Sequence, residues 1–455
     1  MGGVVRRYTK FAMTVQNRKT GFKIMRKAHL RTISIGLLML LTVGCAVNPV
    51  TGERNLSLVG EQWELDVGAQ QYAPLRQAQG GDFTMDPGLV DYIQQVGQRL
   101  AAVSDRDLPY EFSVINESVP NAWALPGGKI SINRGLLTEM NSEAELAAVL
   151  GHEIVHSAAS HGAQSQSRGM LLQGAVLAGG IAAGAATEDE RYAQVALLGG
   201  MVGAQLVSQR YSRDAERESD LYGMRYMKRA GYNPSGAVEL QETFLRISEG
   251  REQDAFSALF ASHPPSRERL ENNRELLSEL GDSGRVGREE YQQQIARLKR
   301  AQPAYEAYDE GRKALQEGDT ETALEKARRA IDIEPAEALF YTLRGDALAE
   351  RNDFRQAEQA YTHALDRSPG WFYHHLRRGM VRAELSRNAE AREDLQASLA
   401  RMPTPSGHYY LGVVERASGN RAAAVEHFKV AAQSETPTGQ RARQALQEMG
   451  VAPQG

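Results

Sequence analysis

The chain has 455 residues, which at roughly 100–200 residues per domain predicts two to four domains, each large enough to bury a core. Its composition, 42% hydrophobic, 24% charged and 7% aromatic, is that of a folded soluble protein and excludes global disorder, a collagen-like fibre and a polytopic membrane protein. A net charge of −4 from 53 basic and 57 acidic residues supplies no bulk field, so no nucleic-acid partner is expected, and a single cysteine excludes a disulfide framework or a cysteine-based metal site.

Residues 1–32 carry nine Lys or Arg and no acidic residue, and an apolar run follows from Ile33 to Val43, closed by Gly44 and Cys45. A basic start, a short apolar run and small residues before a cut describe a signal peptide. The run falls short of the ~18 apolar residues of a spanning helix. Leu41-Thr42-Val43-Gly44 before Cys45 resembles the lipobox of bacterial lipoproteins, which implies removal of residues 1–44 and lipidation of Cys45. A start at Met25 would give a basic region of ordinary length. Several acyl chains on one residue make a stable anchor, and Ala46 rather than Asp after the cysteine favours the outer membrane of a Gram-negative cell, facing the periplasm.

Further along, Lys129-Ile130-Ser131-Ile132-Asn133 is predicted as a strand, and Asn141-Ser142-Glu143 opens a run of strong helix formers. That helix carries His152-Glu153-Ile154-Val155-His156. Residues four apart share a helical face, so both imidazoles can reach one Zn²⁺ while Glu153 addresses a water at the metal. A catalytic zinc needs a third protein ligand and an open fourth position. Glu216 and Asp220, again four apart, supply candidates: Glu216 as ligand, and Asp220 as hydrogen-bond acceptor fixing the tautomer of a ligating imidazole. Between these motifs, Leu171 to Ala186 and Val195 to Val207 are rich in Gly and Ala. They read either as a close-packed helical hairpin or as a movable cover over the zinc cleft.

The last third repeats. Pro335, Pro369 and Pro403 recur every 34 residues, in step with Gly311, Gly345 and Gly379 and with Ala323, Ala357 and Ala391. Tyr361, Leu395 and Phe428 alternate with these small residues. The pattern resembles the tetratricopeptide repeat, with about four copies at 302–335, 336–369, 370–403 and 404–436 and a terminal helix to about Met449. Stacked helix pairs present a groove to peptides or partner proteins, and Trp371, Tyr373, His374, Tyr409 and Tyr410 are candidates to line it. The linker is expected at 276–301, with Gly281, Gly284 and Gly287.

The zinc motif together with Asn121-Ala122-Trp123-Ala124-Leu125-Pro126-Gly127-Gly128, Gly135-Leu136-Leu137, Gly151, and His263-Pro264 with Arg267 resembles the HtpX and CAAX-prenyl-protease type of zinc metallopeptidases, in the gluzincin group, over roughly 55–275. Without four or more long apolar spans the chain resembles the soluble periplasmic branch, and with its repeats it resembles the β-barrel assembly-enhancing proteases. The resemblance implies an α+β architecture: a mainly helical zincin-type metalloprotease domain with a small sheet at 45–275, followed by an all-α solenoid at 302–450. It also implies one Zn²⁺ per chain held by His152, His156 and Glu216. His263 is a candidate donor to the tetrahedral oxyanion, or else a ligand that fills the open zinc position and keeps the enzyme latent. The strand 129–133 is expected at a sheet edge, where Asn121, Ala122, Lys129, Ile130 and Ser131 would bind an extended substrate by strand addition.

The expected activity is that of a zinc-dependent endopeptidase on unfolded or misassembled outer-membrane proteins. The repeats would bind a protein partner, with the outer-membrane assembly machinery as the class of partner. The alternative is a tetratricopeptide assembly factor or chaperone with a latent metalloprotease domain.

Overall fold

The computed structural model describes residues 45–182, 211–249 and 256–452. The expected signal peptide 1–44, and the greater part of the Gly/Ala-rich pair beyond residue 182, lie outside the described residues. No described helix is long and apolar enough to cross a membrane.

A small hairpin, β1 (Cys45–Val47) with β2 (Arg54–Leu56), precedes helix α1 (Glu61–Ala78) and helix α2 (Pro87–Ala101). Asp86 caps α2 by accepting from the Leu89 amide, and Pro87 occupies a first-turn position where its missing N–H costs nothing. Strands β3 (Glu111–Ile115), β4 (Ala122–Leu125) and β5 (Lys129–Asn133) form one sheet in the order β3-β5-β4, with β3 parallel and β4 antiparallel to β5. Gly127 and Gly128, both at positive φ, turn β4 into β5.

The expected edge position of strand 129–133 is therefore corrected. After β3 the chain runs through β4 before returning as β5, and β5 inserts between the two, so its backbone is bonded on both sides. The edges fall to β3 and β4.

Helix α3 (Glu143–Ala158) starts with a reciprocal cap: the Ser142 hydroxyl accepts from the Glu145 amide at 3.2 Å, and the Glu145 carboxylate accepts from the Asn141 amide at 3.1 Å. After it come α4 (His161–Ala182), α5 (Arg213–Arg229), α6 (Ser235–Ser248) and α7 (Arg267–Leu280). Ser212 and Ser266 cap α5 and α7. Where α3 crosses α5, a Cβ on Gly151 would lie 3.2 Å from the Gly223 carbonyl oxygen, and one on Gly223 would lie 3.1 Å from the His152 nitrogen. Two glycines thus allow the backbones of the two motif-bearing helices to approach closely.

Residues 281–287, within the expected linker, lie against this core. The Ala144 amide donates to the Val286 carbonyl and the Arg285 amide to the Gly231 carbonyl, while Tyr291 is fully buried with its hydroxyl on the Leu137 carbonyl. The repeats follow as helix pairs Ala296–Gln316 with Thr320–Ile333, Ala338–Glu350 with Phe354–Arg367, Phe372–Glu384 with Asn388–Arg401, and Pro405–Ala417 with Arg421–Ala432, closed by Pro437–Glu448. One continuous apolar cluster runs from the helices of the first part into the first repeats, through Tyr305, Phe340 and Leu343.

Candidate metal centre

Helices α3 and α5 and the segment after helix Ser257–Ser262 converge on one point. His152 and His156 project from one face of α3, with their Nε2 atoms 3.0 Å apart. From α5, Glu216 places Oε1 3.4 Å from His156 Nε2 and Oε2 3.5 Å from His152 Nε2. His263 caps its short helix and brings Nδ1 to 3.3 Å from His152 Nε2 and 3.0 Å from Glu216 Oε1. One donor atom from each of His152, His156, Glu216 and His263 lies within 4.8 Å of the others.

This donor set fits a divalent metal with nitrogen and oxygen ligands. Imidazole lone pairs converging this closely on a buried carboxylate need a shared cation more than they need one another. Glu153 strengthens the fit: its Oε2 is buried and has no hydrogen-bond partner among the described residues, while its Oε1 sits 3.5 Å from His263 Nε2.

The electrostatics divide the groups. Burial disfavours the charged form of His152, but the Glu216 and Asp220 carboxylates outweigh it and push the imidazole up to about 10. His156 is held well below its usual value by burial. Burial is also overcome at Glu216, where His263 and His152 hold the carboxyl well below the usual range. Glu153 moves the other way, raised by burial against the opposing pull of His263 and His152, as suits a proton acceptor near neutral pH.

Asp220 accepts from His152 Nδ1 at 3.0 Å, the place expected of it. Its carboxylate is in turn held by Arg269, with Nε at 2.6 Å and Nη2 at 2.7 Å, and Arg269 Nη1 lies 2.9 Å from Glu216 Oε2. Arg269 is the site residue that sequence reasoning missed, since Arg267 is the arginine of the resemblance. Arg267 is instead exposed and paired with Glu249. Tyr211 was also missed; its ring stacks on His156 at 3.9 Å between centroids.

Of the expected substrate-binding residues, Ala122 lines a cavity beside His152 and Glu153, together with Val149, Met224, Leu240, Phe244 and Leu259. Asn121 stands just before the edge strand β4, with its Oδ1 buried and without a hydrogen-bond partner among the described residues. Lys129, Ile130 and Ser131 do not face the site. The Lys129 ammonium bonds the Pro109 carbonyl and Glu111, Ile130 is fully buried, and Ser131 bonds the Ser113 hydroxyl.

Comparison with known proteins agrees with this geometry. Residues 89–277 match the profile described as Peptidase family M48, and residues 308–370 and 376–439 match that of the tetratricopeptide repeat. The chain carries an M48 metallopeptidase domain followed by tetratricopeptide repeats. It is 28% identical over 256 residues to the metalloprotease YcaL of Escherichia coli, covering 53% of this chain and 97% of YcaL. To the β-barrel assembly-enhancing protease of the same organism it is 27% identical over 199 residues, covering 43% of this chain and 40% of that protein. The metalloprotease LoiP, also of E. coli, is 30% identical over 176 residues, with 38% of this chain and 65% of LoiP covered. The match thus spans about two fifths of the assembly-enhancing protease. The M48 match implies a metal, and His152, His156, Glu216 and His263 are a cluster that could hold one; the helical fold with a small sheet is the expected one.

Proposed function

We propose that the chain is a zinc-dependent endopeptidase that cleaves unfolded or misassembled outer-membrane proteins, anchored through Cys45 to the outer membrane and facing the periplasm. The observation that carries the catalytic part is the placement of Glu153: a buried carboxylate with a free oxygen beside three imidazoles and Glu216. A purely structural metal site has no use for it.

His152, His156 and Glu216 would hold the zinc, whose chemistry when bound is to polarise a carbonyl and acidify water. Glu153 takes the proton of the attacking water on its carboxylate and returns it to the leaving amine. Asp220 and Arg269 hold His152 in one orientation. The apolar lining from Val149, Met224, Leu240 and Phe244 excludes water and suits an apolar side chain of the substrate. An extended chain can add along β4 from Asn121 and Ala122, reading backbone rather than sequence.

The geometry favours one of the two roles of His263. With Nδ1 inside the ligand set, His263 makes a closed, four-ligand site, the arrangement of a resting state. That also lends weight to the assembly-factor alternative, in which the repeats bind a partner and proteolysis is released only on demand. The test is metal removal: treatment with 1,10-phenanthroline abolishes cleavage of an unfolded β-barrel protein and zinc restores it. Cleavage that survives complete zinc removal would contradict the proposal.

A further inference from the structure

We propose that His161, Glu218 and Asn48 form a positioning relay behind His156, so that the hairpin opening the described chain is a working part of the metal centre. This inference rests on the metal-site reading above and extends it to residues outside the zinc motif.

The two ligating histidines of α3 are supported differently. His152 turns Nδ1 to a carboxylate directly. His156 turns Nε2 to the ligand set, so Nε2 must offer its lone pair there and Nδ1 must carry the hydrogen. A ligating imidazole usually donates that other N–H to a carboxylate or carbonyl, which fixes its tautomer and rotation. Here the acceptor is another imidazole: His161 Nδ1, from the first residue of α4, at 2.9 Å.

His161 can accept on Nδ1 only as the tautomer with hydrogen on Nε2, and that edge faces Glu218 Oε1 at 3.5 Å. Glu218 lies on α5 between the ligand Glu216 and the Asp220 support, yet turns away from both to reach His161. Asn48 Nδ2 then donates to Glu218 Oε1 at 2.7 Å. The orientation of that amide follows from its other end, since Asn48 Oδ1 accepts from the Val50 amide at 2.9 Å. Asn48 and His161 are each 3% exposed; His161 Nε2 is buried without a hydrogen bond among the described residues, and Glu218 Oε1 at 3.5 Å is the carboxylate oxygen it approaches.

The hairpin holding Asn48 is itself fixed. The Asn48 amide donates to the Glu53 carbonyl at 2.8 Å across the turn, and the Leu58 amide donates to the buried Ser167 hydroxyl of α4 at 2.8 Å. Asn48 stands three residues after Cys45. A soluble form that begins beyond the hairpin would lose the first residue of the relay along with the anchor site.

The test is a double-mutant cycle on the full mature chain, read by zinc affinity in chelator competition and by the visible spectrum of the cobalt-loaded protein. Losing a support behind a metal ligand costs about 10–100-fold in affinity. His161→Phe is expected to fall in that range and to change the cobalt spectrum, and His161→Gln, which keeps an acceptor oxygen, to recover part of the loss. Asn48→Ala should weaken zinc in the same direction, and the double variant should be no weaker than His161→Phe alone. Wild-type affinity in Asn48→Ala, or full additivity of the two losses, would overturn the relay. If His161→Phe does not fold, Glu218→Gln with Asn48→Ala completes the same cycle. A wild-type chain that binds no zinc would instead sink the metal-site reading itself.

Discussion

In the proposed mechanism His263 is the residue on which the resting and working states of the site divide. Its Nδ1 approaches both His152 and Glu216, while its Nε2 lies 3.5 Å from Glu153. If it closes the coordination sphere, His263→Ala lowers zinc affinity and raises the rate of casein cleavage. If it serves the oxyanion, the same change leaves zinc in place and lowers the rate by about 10²–10³-fold, as loss of such a donor does. The account expects the first result, in a paired measurement of affinity and rate. At this scale the sequence is legible wherever function follows helical spacing. His152 with His156, and Glu216 with Asp220, are each four residues apart on one helix, so both pairs can be read without a structure. Arg269, Tyr211 and His161 reach the site across elements, and no spacing within one helix announces them.

Helices α3 and α5 carry the proposed ligands His152, His156 and Glu216 and the proposed base Glu153, and their crossing sets whether those groups meet. Gly151 and Gly223 face each other there, so closely that a Cβ on either would sit 3.1–3.2 Å from the other helix's backbone. Gly223→Val forces the helices apart against the His152 backbone. Overpacking of this kind costs about 1–3 kcal/mol, and the separation pulls Glu216 away from the histidines. A lowered melting temperature together with weaker zinc binding is the expected outcome, and a melting shift with unchanged affinity would show that the crossing does not position the ligands. The strand order is the element-level feature that the sequence concealed. Lys129-Ile130-Ser131-Ile132-Asn133 alternates like any half-buried strand, and nothing local says that β3 pairs with it in parallel from the far side. The repeats were legible because their period reflects packing: Gly345, Gly379 and Gly412 lie against Tyr361, Leu395 and Phe428, small against large in the second, third and fourth helix pairs.

Across the whole molecule the repeats are docked on the peptidase core rather than strung behind it. Trp371 Nε1 donates to the Gln77 carbonyl at 2.8 Å and its ring lies against Gly81, while Asn116 of the peptidase side donates to Glu337 at 3.0 Å. Of the residues expected to line the concave groove, Trp371 is thus spent on this contact and His374 is buried with Nδ1 on the Ser368 carbonyl. Tyr373 joins Asn116, Arg134, Arg312 and Asp346 in the wall of a cleft of about 430 Å³ between the two parts. The 34-residue period predicts the solenoid but is silent on this docking, which depends on residues outside any repeat, such as Gln77 in the last turn of α1 and Gly81 in the loop after it. Trp371→Ala, truncating a half-buried aromatic, should cost about 1.5–3 kcal/mol, less than the range for fully buried aromatics. Faster limited proteolysis around residues 281–301 would accompany it; an unchanged proteolysis rate would mean that the docking does not depend on this side chain.

Proteolysis by this chain requires Glu153 to act as the base beside a metal held by its neighbours. The most direct measurement is zinc content alongside cleavage of an unfolded β-barrel protein, for wild type and Glu153→Gln. The prediction is about one zinc in both chains and a rate at least ~10²-fold lower in the variant, the usual contribution of a general base. A variant that keeps its zinc and still cleaves at the wild-type rate would contradict it.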